Sequence, residues 1–268
     1  MRLTAGTIKD PFKALLLLRR TYKNWSEIIS HYFSRRPLRR IVLRDGLTIP
    51  IERETSSLMA SFRHYHRWYD PSIYNLIGLA RLLGRGWRIK GVEGDFLLLA
   101  ADPSTVLKCR LKQGTDISLL GEIFVRQVYG SDFQGKTVVD VGAYMGDSAI
   151  FFTRHGAKLV IALEPDPTNL RLAEENVKLN QLTDRILLVN AALSAESGES
   201  RLGHNEAIPN ISQVIDRSSS RWESVEVETI TVEDVMKRFG LGRIDVLKLN
   251  CEGCEYGIIR NLQSETLK

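Results

Sequence analysis

Cysteine is scarce in this chain: Cys109, Cys251 and Cys254 are the only three in 268 residues. So few, and an odd number, exclude a disulfide framework and fit a reducing compartment, so a cytoplasmic location is expected. Cys251 and Cys254 form a C-x-x-C pair, which can be redox-active or half of a zinc site. No second Cys/His pair is spaced to complete a metal centre, so no metal is expected and packing of buried thiols is the simpler reading. His64 and His66 are two apart and would not share a helix face.

Long apolar runs are also missing. Leu15 to Leu18 falls far short of the ~20 residues that span a bilayer, and with no small-residue cleavage site after it, no signal peptide is expected. There is no internal repeat and no low-complexity tract. The charge excess is small, 37 Lys and Arg against 32 Asp and Glu, for a net +5. That permits acidic partners without requiring nucleic acid. The aromatic and basic stretch Phe62 to Tyr69 carries no RNA-binding motif, so no specific nucleic-acid partner is expected.

What is present begins with a basic segment, residues 1–40. Leu15 to Leu18, Tyr22, Trp25, Ile28, Ile29, Tyr32 and Phe33 recur at helical spacing and predict an amphipathic helix. Its cationic face permits peripheral contact with an anionic membrane; packing against its own protein is the favoured reading. Residues 41–134 read as an α+β annex. Asp45-Gly46 marks a hairpin turn between Arg40 and Ile51. Residues 54–85 look mostly helical, broken at Asp70-Pro71. Short strands follow at Trp87 to Val92, Phe96 to Ala100 and Val106 to Leu111, then a helix over Asp116 to Tyr129.

The organising stretch is Lys136 to Glu164, within a core predicted over residues 135–268. Thr137 to Val141 is a β-branched run that reads as a strand buried on both faces. Gly142-Ala143-Tyr144-Met145-Gly146 turns the chain, with the glycines expected where backbone approaches a ligand closely. Asp147-Ser148 can cap a helix to His155, and Gly156 can stop it. Leu159 to Leu163 is a second buried strand ending on Glu164. This βαβ unit places a ligand at the carboxyl ends of its strands. Asp140 suits a cationic ligand and disfavours pyrophosphate, and Glu164 can accept from ribose hydroxyls. The unit therefore looks built for a positively charged nucleoside, a description S-adenosylmethionine (SAM) meets. The rival is a dinucleotide fold, but its G-x-G-x-x-G fingerprint is replaced here by G-x-x-x-G.

Further along, Asp166 can cap a helix that starts at Pro167, Arg185 to Asn190 is a third strand, and residues 197–220 read as a hairpin plus a mobile loop over the site. Val225 to Ile230 alternates like an exposed strand. Thr231 starts a helix to Phe239. Ile244 to Leu249 is a fourth buried strand, followed by a last helix near Tyr256 to Leu262.

The pieces VVDVGAYMGDSAIFF, ALEPDPTNLRLAEENVKLN, NAALS, VETITVEDV and IDVLKLNCEGCEYGII, in this order, resemble the FkbM-type methyltransferases, a class I SAM-dependent family. The resemblance covers roughly Gly121 to Leu262. It implies a Rossmann-like class I sheet carrying the α+β annex at its N-terminus. This class has seven strands and four are read before Lys268, so a core truncated at its C-terminus is expected. The resemblance implies that Asp140, Gly142, Ala143 and Gly146 cradle the methionine part of SAM, that Glu164 holds the ribose, and that Asn190 and Ala191 lie beside adenine. Where the family has an Asp, this chain has Asn250, with Glu252 and Gly253 retained. Asn250 can orient a substrate hydroxyl but is a poor base, which leaves Glu252 as the candidate base, ahead of His204.

The function implied is SAM-dependent O-methylation of a sugar, glycolipid or secondary metabolite, so the partner is a small-molecule, glycan or lipid acceptor. No motif speaks to oligomeric state. The alternatives are a non-catalytic SAM-fold scaffold and, further off, a nicotinamide-dependent oxidoreductase.

Overall fold

The computed structural model of the protein describes residues 11–34, 39–50, 71–110, 115–204, 212–215, 223–251 and 253–262. The basic segment folds as two helices, α1 (Pro11–Thr21) and α2 (Trp25–Ser34), rather than one. The break has a local cause. Lys23 N–H donates to the Val42 carbonyl at 2.7 Å. The Asn24 amide accepts from Val42 N–H at 2.9 Å and donates to the Arg40 carbonyl at 2.8 Å. Residues 22–24 thus pair like an edge strand, which a helix cannot do. Leu18, Tyr22 and Ile28 are buried in the protein's own core, while Arg19 and Arg20 face solvent.

The partner of that edge is the hairpin β1 (Arg40–Val42) and β2 (Thr48–Pro50), turned through Gly46 at φ +101°. After α3 (Pro71–Leu83) come β3 (Arg88–Glu93), β4 (Phe96–Asp102) and β5 (Thr105–Arg110), an antiparallel meander. The aromatic and basic stretch before Pro71, with His64 and His66, lies outside the described residues. The helix predicted over Asp116 to Tyr129 is shorter: α4 (Asp116–Leu120) widens into a π-turn at Gly121–Val125, with Arg126 N–H reaching the Gly121 carbonyl.

The core sheet contains β6 (Thr137–Val141), β7 (Leu159–Leu163), β8 (Ile186–Val189) and, far along the chain, β13 (Val246–Leu249). All are parallel, in the order β13-β6-β7-β8. Helices α5 (Asp147–Arg154) and α6 (Pro167–Leu179) follow β6 and β7. Their residues Phe151, Phe152, Leu172 and Val177 share an apolar cluster with Val138 and Val160 on one face of the sheet. Leu97, Leu107, Ile117 and Leu120 of the annex belong to the same cluster. Val139, Val141, Ile161 and Leu163 point to the opposite face, against α7 (Val232–Arg238) and Ile258 of α8 (Glu255–Asn261). The sheet is doubly wound and Rossmann-like, and its strand order reverses between β6 and β13. Such folds bind ligand beyond the strand ends at that switch point.

A second sheet, ordered β11-β10-β12-β9, holds β9 (Ala192–Leu193), β10 (Gly198–His204), β11 (Ser212–Ile215) and β12 (Glu223–Ile230). The expected hairpin is β10 with β11, whose strands pair antiparallel. Residues 205–211 and 216–222, which the mobile-loop reading concerns, lie outside the described residues. No helix among the described residues is long and apolar enough to cross a membrane.

Candidate functional site

The tips of the four parallel strands stay knitted together past their last residues. Gly142 and Ala143 N–H both donate to the Leu163 carbonyl at 3.0 Å, Glu164 N–H to Val189 at 3.1 Å, and Asn250 N–H to Val141 at 3.2 Å. The Asn190 amide donates to the Glu164 and Pro165 carbonyls at 3.1 Å each, which sets it beside Glu164. Ala191 behind it is fully buried.

The turn glycines are required by the protein itself. Gly142 has φ +72°, and a Cβ there would run into the Asn250 carbonyl oxygen. Gly146 has φ +80°, and its Cβ would sit 3.3 Å from that of Ala173. Each glycine thus permits a close approach within the fold, Gly142 to the end of β13 and Gly146 to α6.

A buried charge cluster lies under the turn. Asp140 and Lys248 are opposite each other in adjacent strands. Lys248 Nζ is 2.8 Å from Asp140 Oδ1 and donates to the carbonyls of Val141 at 3.1 Å and Gly142 at 2.8 Å. The Ser148 hydroxyl donates to Asp140 Oδ2 at 2.6 Å. Burial pulls Lys248 toward neutrality, but Asp140, Tyr129 and Asp147 together outweigh this and raise its pKa. Asp147 is 2% exposed, and its Oδ2 has no hydrogen-bond partner among the described residues. Burial pushes its pKa up to about 7, although Lys248 opposes the shift. The helix cap predicted for Asp147-Ser148 is not made: the N-cap of α5 is Gly146, without a side-chain hydrogen bond. Both side chains turn inward instead.

Glu164 is fixed from two sides. Tyr144 N–H donates to its Oε2 at 2.8 Å, and Asp166 N–H to its Oε1 at 3.0 Å. Burial raises its pKa to about 7 against these hydrogen bonds. Asp166 caps α6 as predicted, accepting from Thr168 and Asn169 N–H.

Residues 140–268, the segment holding this cluster and all four strand tips, match the family model described as the methyltransferase FkbM domain. Over that segment, the chain is similar to FkbM-type methyltransferase domains. Curated relatives that it resembles are methyltransferases. The ribosomal protein L11 methyltransferase of Carboxydothermus hydrogenoformans is 42% identical over 55 residues, 20% of this chain and 18% of that protein. Methyltransferase sdnD of Sordaria araneosa is 23% identical over 157 residues, 48% of this chain and 61% of that protein. Thus the chain spans a fifth to three fifths of these relatives' lengths. Among solved structures, TYW2 of P. horikoshii in complex with MeSAdo is 19% identical, with a TM-score of 0.33 and coverage of 62% of this chain and 59% of that one.

Within the matched segment, Asp140, Gly142, Ala143, Gly146, Glu164, Asn190, Ala191 and Asn250 gather at adjacent strand tips. Asn250 is exposed. Glu252 lies outside the described residues, as does the side chain of His204. Cys251 and Cys254 are joined as a disulfide across a Cα separation of 5.5 Å, which corrects the reading as two packing thiols. Free Cys109 is buried. Lys248 escaped the sequence reading; its signal was a lone charge inside an otherwise apolar strand. Asp147 was read as a helix cap, the usual role of a carboxylate that opens a helix.

Proposed function

We propose that the strand tips bind SAM and that the protein transfers its methyl group to a hydroxyl oxygen of a sugar, glycolipid or secondary metabolite. One observation carries this reading. Two buried carboxylates, Asp140 and Asp147, share the switch point with one buried lysine, Lys248, and a third carboxylate, Glu164, stands at the tip of the neighbouring β7. The cluster keeps an excess of acid, and Asp147 Oδ2 is unsatisfied among the described residues. A sulfonium cofactor with an α-ammonium group suits that surplus, whereas the pyrophosphate of a dinucleotide is repelled by it.

The residues divide the work. Glu164 has acceptor capacity for ribose hydroxyls. Asp140 acts through Lys248, which grips the carbonyls of Val141 and Gly142 and so shapes the turn. Asn190 and Ala191 border the adenine end. When bound, SAM supplies an already activated methyl group. The protein must align the acceptor oxygen, exclude water and take up a proton. Exposed Asn250 orients the acceptor hydroxyl, and Glu252 serves as the base.

The test is mass spectrometry of glycans and lipids incubated with the protein and methyl-labelled SAM. Label on a hydroxyl oxygen supports the reading. SAM binding with no transfer to any acceptor would favour a non-catalytic scaffold, a reading that the family's missing Asp at position 250 lends weight.

A further inference from the structure

Glu164 belongs to a closed ring of hydrogen bonds that leaves the FkbM-type segment and returns to it. Tyr144 N–H donates to Glu164 Oε2 at 2.8 Å. The Tyr144 hydroxyl donates to Asp116 Oδ1 at 2.5 Å. Asp116 Oδ2 accepts from Arg110 Nε at 2.9 Å and from Arg110 N–H at 2.8 Å. Arg110 Nη1 donates to Asn169 Oδ1 at 3.0 Å. Asn169 N–H donates to Asp166 Oδ1 at 3.1 Å, and Asp166 N–H donates to Glu164 Oε1 at 3.0 Å, closing the ring.

All six residues are buried, none more than 8% exposed. Three elements converge here: β5 supplies Arg110, α4 supplies Asp116, and the start of α6 supplies Asn169. Tyr144 is held at φ +51°, a conformation a bulky side chain rarely adopts. Its ring lies 4.7 Å from the Arg110 guanidinium carbon, so its two ends are clamped while its backbone N–H aims at Glu164. Strain of this kind persists where surroundings over-determine it.

We infer that Arg110 and Asp116, upstream of the family segment, are positioning residues for the cofactor's ribose: they clamp Tyr144, and Tyr144 aims the Glu164 carboxylate. The annex therefore completes the nucleoside end of the site. This inference rests on the cofactor reading above. Residual acceptor sites on Glu164 face the ribose only while both of its oxygens are held. The same logic governs partners that orient a metal's ligands, where loss costs 10–100-fold.

The experiment is isothermal titration of the full chain with S-adenosylhomocysteine and with its 2′-deoxy analogue, for wild type, Tyr144→Phe and Arg110→Lys. Tyr144→Phe removes one hydroxyl, and Arg110→Lys keeps the charge but loses the fork that reaches both Asp116 and Asn169. Each variant is expected to weaken S-adenosylhomocysteine binding about tenfold and to shrink the preference for it over the 2′-deoxy analogue. A purely structural ring would lower the melting temperature yet leave that preference intact in the folded protein, and this result would overturn the inference. If wild type binds neither compound, the cofactor reading itself falls, which is a different outcome from wild-type binding that the variants match.

Discussion

Lys248 and Asp140 face each other across adjacent parallel strands, Nζ to Oδ1 at 2.8 Å, with side chains only 6% and 0% exposed. Removing one partner of such a pair strands the other as a buried charge. Lys248→Met is therefore expected to destabilise the protein by about 3–5 kcal/mol. Chemical denaturation measures this; a loss under about 1 kcal/mol, the scale of a surface pair, would contradict the buried geometry.

Gly142 and Gly130 separate conformation from collision. Both have positive φ, +72° and +86°, but a Cβ at Gly142 strikes the Asn250 carbonyl, while one at Gly130 meets nothing within 4 Å among the described residues. Gly130→Ala is expected to cost about 1–2 kcal/mol for its backbone alone. Gly142→Ala should cost clearly more and should displace the end of β13, abolishing cofactor binding. Equal losses from the two substitutions in urea titrations would sink the close-approach argument.

Acidity near neutrality gives a signed prediction. Burial lifts Asp147 to about 7, whereas in the unfolded chain it ionises near ~4. The folded protein therefore keeps a proton that the unfolded chain sheds between those values. The stabilisation is full below about pH 4 and is lost as pH rises through about 7. Asp147→Asn should melt above wild type at about pH 8 and converge with it near pH 4. A constant difference across that range would show that Asp147 does not titrate as described. A cationic ligand favours the ionised carboxylate, so SAM affinity should rise with pH in wild type and less steeply in the variant.

Thiol chemistry checks the Cys251–Cys254 link. Iodoacetamide should label no cysteine of the native, unreduced protein, because burial pushes the Cys109 thiol well up and leaves it unreactive. After dithiothreitol it should label two. Two labels before reduction would mean that the bond is absent.

Much of the core was legible along the chain. Thr137 to Val141 and Leu159 to Leu163 are apolar runs of strand length, and Asp166-Pro167 announced α6 through the cap and the first helical position together. The site was legible as a set of strand tips. It was not legible as a network, because the contacts that define it are long-range: Lys248 pairs with Asp140, and Arg110 bonds Asn169, across stretches that local pattern cannot connect. The inward turn of Asp147 overrides its capping preference for the same reason. The break at Tyr22 likewise comes from a pairing partner elsewhere in the chain, Leu43.

The central claim is that the strand tips hold a cationic adenosyl cofactor through Glu164. Isothermal titration of wild type and Glu164→Ala with SAM and with NAD tests it most directly. Saturable SAM binding that Glu164→Ala abolishes, with no NAD binding, is the predicted result. Binding of NAD but not SAM, or SAM binding indifferent to Glu164, would contradict it.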